Sequence, residues 1–172
     1  TLPDEVLAGL LDPGVEKWAF NAAFERITIG QHLHRQGITR GPYLDPAGWR
    51  CSMVWSSALG LPRSLKDAAE ALGLGHQKLD EGKDLIKLFC VPTTPRKIDG
   101  PALFDTEQMT HRHTPSSAPE KWVRFIEYNR RDVDVENELR QHLAHQPLSA
   151  QTWAEYEVDQ RINDNGIRID LD

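Results

Sequence analysis

The sequence has only two cysteines, Cys51 and Cys90. That is too few for a disulfide framework, so reduced thiols in a cytoplasmic setting are the expectation. No apolar run approaches the roughly 20 residues that cross a bilayer, and no signal-peptide layout opens the chain, so no membrane partner is expected. Positive charge is also short: 20 Lys and Arg stand against 26 Asp and Glu, a formal net charge of −6. Without a long basic block, tight nonspecific binding of duplex through a broad basic face is disfavoured. An enzyme that engages nucleic acid through bound cations is not excluded. There is no internal repeat. The triplet His111-Arg112-His113 has no Cys or third His at ligand spacing, so zinc is not expected.

What remains is a globular composition at the lean end of apolar content, 39% hydrophobic and 27% charged, which points to a folded chain rather than a disordered one. Its 172 residues fit one domain, or one domain with its start cut off. The opening at Thr1 and the strand-like close Ile169-Asp170-Leu171-Asp172 lead us to expect a piece of a longer polypeptide. Periodicity predicts a helix over Leu2–Leu11, a short strand over Val15–Phe20 and a helix from Asn21 to about Arg35. Asn21 is expected to cap that last helix through its side chain, with Phe24, Ile27, Leu33 and the small Ala23 facing inward. A brief strand at Trp49–Met53 runs into a helix ending at Gly60. Ser64 is expected to cap a helix over Leu65–Leu72, and Asp80–Phe89 is predicted helical with Leu85, Ile86 and Phe89 inward.

The proline-rich stretch from Pro92 to Pro119 reads as the least regular segment. A long helix follows, from about Pro119 to His145, with Trp122, Phe125, Ile126, Val133, Leu139 and Leu143 on its buried side. A last helix from Ser149 to about Asn163 passes through the turn Asn165-Gly166 into a strand at Ile167–Asp170.

Two stretches carry chemistry. In Glu127-Tyr128-Asn129-Arg130-Arg131-Asp132-Val133, Tyr128 and Asp132 lie four apart and share a helix face. A phenol beside a carboxylate can orient a water against a metal-bound phosphate, although such pairs are also common on solvated helices. Of the acidic residues that follow, Asp134, Glu136 and Glu138 are read as a solvated face. Upstream, Trp18-Ala19-Phe20-Asn21-Ala22-Ala23-Phe24-Glu25-Arg26 places Glu25 just beyond a strand's carboxyl end, where ligands collect in α/β sheets.

Together, Asn21-Ala22-Ala23-Phe24-Glu25-Arg26 and Tyr128-Asn129-Arg130-Arg131-Asp132-Val133 resemble the second and third motifs of DEDD-type 3′–5′ exonucleases. The whole chain resembles the proofreading domain of phage-type family A DNA polymerases. The middle segment agrees, with Trp49-Arg50-Cys51-Ser52-Met53, Ala58-Leu59-Gly60-Leu61-Pro62 and Ser64-Leu65 followed by Leu72-Gly73-Leu74. So does the tail Asp159-Gln160-Arg161-Ile162-Asn163 with Gly166-Ile167-Arg168-Ile169-Asp170. The resemblance implies an α/β, ribonuclease-H-like exonuclease fold, helix-rich here because its N-terminal strands are missing. It implies a partial exonuclease domain over 1–147, and a helix-turn-strand over 148–172 leading toward a polymerase domain of the same parent chain.

The implied chemistry is two-metal hydrolysis of the terminal phosphodiester at a single-stranded DNA 3′ end, with Mg²⁺ or Mn²⁺ held by hard oxygen ligands. By motif match Glu25 and Asp132 are metal carboxylates, and Tyr128 orients the attacking water. Asn21 shapes the turn and touches the substrate strand, Lys78 meets a phosphate, and Phe24 is assigned to packing. The chain departs from the family at the first motif, because no Asp-x-Glu precedes Asn21, and Glu25 stands where many relatives carry Asp. We therefore expect a chain that is inactive alone and prone to self-association through exposed apolar faces and an unpaired edge. The alternatives are a degenerate, non-catalytic scaffold or single-strand-binding module of a polymerase, and an unrelated helical interaction domain.

Overall fold

The computed structural model describes residues 2–74, 82–92 and 113–169. Among them the order of elements is α1 (Asp4–Leu11), β1 (Lys17–Ala19), α2 (Ala22–Arg35), β2 (Trp49–Cys51), α3 (Ser52–Ala58), α4 (Leu65–Ala71), α5 (Gly82–Cys90), α6 (Pro119–Leu143) and α7 (Ala150–Asn165). This is a helix-rich α/β architecture around a two-stranded parallel sheet. The chain divides into two compact units, one formed from 1–75 with 136–172 and the other from 76–135.

In the first unit β1 pairs with β2 in the register Lys17↔Trp49, Trp18↔Arg50 and Ala19↔Cys51. A parallel pair needs a crossover between its strands, and α2 supplies it, packing on both strands while α3 packs on β1. Ala19, Ala22, Leu33, Leu44, Trp49 and Cys51 form the core here, with Leu7, Leu10, Ile29 and Tyr156 packed against it. Gly30 explains how a loop can lie directly on α2. A Cβ there would stand 2.7 Å from the Pro42 carbonyl oxygen and 2.9 Å from the Leu44 nitrogen. That close approach brings the Leu44 carbonyl to the buried Arg26 guanidinium, which donates to it at 2.7 Å.

Arg26 is 1% exposed and also holds the end of α7. It donates to both carboxylate oxygens of Asp164, at 2.8 and 2.6 Å. Arg50 adds a second tie, donating to Glu157 at 2.8 Å with its guanidinium over the Trp153 ring. Trp18 lies between Trp55 and Trp153. Helix α7 therefore packs within the first unit.

The second unit contains α5 and the residues of α6 up to Val135. Its core is Leu85, Phe89 and Tyr128, with Leu88, Trp122 and Phe125 against it. Phe89 stacks on Phe125 and meets Trp122 edge-on, the geometries that aromatic quadrupoles favour.

Several sequence expectations need correction. The inward stripe of α2 is Ala22, Arg26, Gly30 and Leu33, whereas Phe24 is 63% exposed and Ile27 also faces out. The stripe follows Arg26 because its buried bonds, not its hydropathy, set the helix rotation. On α6 the buried residues are Tyr128, Val135, Leu139 and Leu143, while Ile126 and Val133 are exposed, as is Ile86 on α5. Neither Asn21 nor Ser64 makes a side-chain cap hydrogen bond. Ser149 does cap α7, accepting from the Thr152 amide. The expected strand after Asn165-Gly166 is absent over the described residues 166–169, where Ile167 and Ile169 are exposed.

Candidate functional site

The two strands end at the rung Ala19↔Cys51. The residue that follows β2 is Ser52, and its hydroxyl turns to an acceptor on α6. Glu136, on α6, takes a hydrogen bond from the buried Ser52 hydroxyl at 2.8 Å. Its carboxylate thus sits over the carboxyl end of the sheet, the place where α/β folds collect ligands. Burial pushes the Glu136 carboxyl above its usual range, while Ser52, the Phe20 amide and the positive charge of Arg140 act the other way. Arg140 itself lies over the Trp18 ring, 4.3 Å from its centre.

Beyond Phe20 the chain turns sharply. Asn21 has φ 72 and ψ 49 and is the one non-glycine residue with positive φ among those described. Asparagine tolerates this left-handed conformation better than most residues. The turn is closed by the Phe24 amide donating to the Asn21 carbonyl at 2.8 Å. It launches α2 so that Glu25 lies in the first helical turn, where the helix dipole favours a negative charge. Asn21 therefore shapes the turn through its backbone conformation, with its side chain exposed.

Glu25 is half-buried, and its Oε2 is shielded from water with no hydrogen-bond partner among the described residues. Its pKa is raised to about 7, first by loss of solvation, against help from its own backbone amide, with the nearby charge of Glu136 adding to the rise. A carboxylate stripped of water and placed beside a second carboxylate is costly unless a proton or a cation compensates. The donors are hard oxygens, suited to Mg²⁺ or Mn²⁺ rather than to soft metals. The donor set is incomplete, however: among the described residues, no three His, Cys, Asp or Glu gather where one ion could be held.

The remaining sequence candidates fall elsewhere. Tyr128 and Asp132 belong to the second unit. There Tyr128 is buried in the aromatic core, stacked on Phe125, and a Cβ at Gly82 would fall on its ring. Asp132 is half-buried, with its Oδ1 shielded from water. Lys78, and the residues His111 and Arg112, lie outside the described residues.

Glu136 was read from sequence as part of a solvated face, and the structure overturns that reading. Its signal lay in position: it follows Asp132 by one turn of α6, and Ser52 directly follows a strand. Arg26 was likewise legible only as a charge next to Glu25.

Across its whole length the chain is similar to a DNA polymerase of Bacillus phage SP02, with 41% identity over 175 residues. It is a polymerase-related region. The chain spans only 24% of that relative's length. No family model matches the chain, and no solved structure does. Among the described residues, no helix is long and apolar enough to cross a membrane.

Proposed function

We propose that this polymerase-related region is part of a 3′–5′ exonuclease domain of ribonuclease-H-like fold, acting on the 3′ end of a single DNA strand. The observation that carries the reading is Glu25: a desolvated carboxylate at the carboxyl end of a parallel sheet, with an oxygen that no group among the described residues satisfies. Such an oxygen suits a hard divalent ion. When bound, that ion would supply a polarised water and neutralise charge on the departing 3′ oxygen. Glu25 would hold it, and Asp132, Tyr128, Asn21 and Lys78 keep the roles that the motif resemblance gives them. The other carboxylates a two-metal centre requires are ones this chain does not carry.

The test joins a binding measurement to an assay. The chain should bind Mn²⁺ weakly, and Glu25→Gln should weaken that binding by about tenfold or more, the scale on which metal sites respond to loss of an essential group. Single-stranded DNA with Mg²⁺ or Mn²⁺ should survive incubation with this chain alone. Mn²⁺ binding indifferent to Glu25→Gln would end the reading. Robust cleavage abolished by Asp132→Ala would show that the site is complete as it stands.

The second reading, a non-catalytic scaffold or single-strand-binding module, is favoured by the absence of a three-ligand cluster among the described residues. It predicts oligodeoxythymidine binding that survives chelation of divalent ions.

A further inference from the structure

We propose that Arg26 and Asp164 are positioning residues for Glu25: the last turn of α7 sets the direction in which the carboxylate on α2 points. What concerns cations rests on the exonuclease reading above; what concerns direction does not. Arg26 follows Glu25 directly on α2 and is fully buried. Its Nη1 donates to the Leu44 carbonyl at 2.7 Å and to Asp164 Oδ2 at 2.8 Å. Its Nη2 donates to Asp164 Oδ1 at 2.6 Å and to Gln160 Oε1 at 3.4 Å. Two parallel bonds between a planar guanidinium and a carboxylate admit one relative orientation.

Asp164 is carried by a helix that is anchored elsewhere. Trp153 of α7 meets Trp18 edge-on, and Glu157 of α7 accepts from Arg50 at 2.8 Å. On α2 the other buried residues are Ala22, Gly30 and Leu33. Apolar contact is non-directional, and a stripe with one large apolar side chain resists rolling of the helix weakly. The fork on Asp164 supplies the direction that this packing lacks.

Glu25 inherits the result. Successive residues of an α-helix project about 100° apart, so a locked Arg26 fixes the bearing of its neighbour. A carboxylate about 5 Å from the axis would travel about 2 Å if α2 rolled by about 20°. Functional constellations need their groups held to about 0.5 Å. Among the described residues nothing bonds Glu25 Oε2, so that oxygen has no guide of its own. Both Nη atoms of Arg26 are committed away from Glu25.

A pair that merely stabilises the fold would act through stability alone, and the other polar tie of α7 provides the control. Glu157→Gln weakens the bond from Arg50 and leaves Arg26 untouched. Two readouts on the folded 172-residue chain separate the cases. One is the χ1 population of Glu25, from three-bond NMR couplings without metal; the other is Mn²⁺ affinity by electron paramagnetic resonance.

We expect one χ1 rotamer of Glu25 in the native chain. Asp164→Ala should move that population and lower Mn²⁺ affinity about tenfold. Asp164→Asn keeps one acceptor for the guanidinium, so it should do the same at smaller size, and it decides the matter if the alanine variant does not fold. Glu157→Gln should leave both readouts at their native values.

A native χ1 population in Asp164→Ala, or in Asp164→Asn where the alanine variant does not fold, would overturn the proposal. So would averaged couplings in the native chain, or changes in Glu157→Gln as large as those at Asp164. Unchanged Mn²⁺ affinity beside a displaced χ1 population would overturn its cation part. If the native chain binds no Mn²⁺, the exonuclease reading fails, and the χ1 population of Glu25 still decides whether Asp164 aims it.

Discussion

The two compact units solve the problem of stability in different ways. The second is an aromatic cluster: Phe89, Trp122, Phe125 and Tyr128 stack and meet edge-on between α5 and α6. Burial of large rings stabilises such a cluster and tolerates small rotations of the helices. The first unit has a modest apolar core and relies on polar groups buried at its elements' junctions. Arg26 joins α2 to α7 and to a loop, while Glu136 joins α6 to Ser52 at the end of β2. Buried polar bonds are directional and costly to leave unmade. They fix positions where aromatic packing only fills space. A region that must aim a carboxylate has more use for the first kind of construction.

The comparison is broken most directly at Arg26. Asp164→Ala leaves a guanidinium buried without its charge partner. Removing one member of a buried pair typically costs about 3–5 kcal/mol. Chemical denaturation followed through tryptophan fluorescence should show that loss; a change under about 1 kcal/mol would mean that the pair is as inconsequential as a surface one. A smaller effect is expected in the second unit from Gly82→Ala. The added methyl group overlaps the Tyr128 ring, and overpacking of this kind costs about 1–3 kcal/mol. It should alter the near-ultraviolet circular dichroism of the aromatic cluster, and an unchanged spectrum would refute the close contact.

The third effect is set by pH and sharpens the contrast, since it belongs to the first unit alone. Glu25 has its pKa raised in the folded state from 4.5 to about 7, so folding holds its proton more tightly than the unfolded chain does. The penalty for ionising it is absent below the unfolded pKa and complete above the folded one. Stability of the first unit should therefore fall as pH rises from about 4.5 to about 7, with Glu136 acting in the same direction. Denaturation midpoints measured with a chelator present should decline over that window, and Glu25→Gln should flatten the decline. A rise instead would contradict the desolvation of Glu25.

Much of the helical framework was legible. Apolar spacing and turn residues located every helix now seen, with ends shifted by a few residues, and the parallel strands were placed within Val15–Phe20 and Trp49–Met53. Helix rotation was less legible. Phe24 reads as core by hydropathy, yet it faces water because Arg26 and Gly30 must face inward, one for its bonds and one for a passing loop. The same failure hid Glu136: a charged residue in an acidic run resembles a solvated face until its partner Ser52 is seen. Asn21 was recognised as a turn residue, but the means proved to be its backbone angle rather than its side chain.

By itself the sequence determined the order of helices and strands, the lean apolar content and the two acidic stretches, because these follow from periodicity and local chemistry along the chain. Only the tertiary structure decided which of those charges are buried, and with what. Glu25 loses its water, Glu136 bonds the buried Ser52 and Arg26 reaches Asp164 from 138 residues away. Desolvation and hydrogen-bond pairing are properties of what surrounds a residue in space, and neighbours so distant in sequence leave no periodic trace from which to read them.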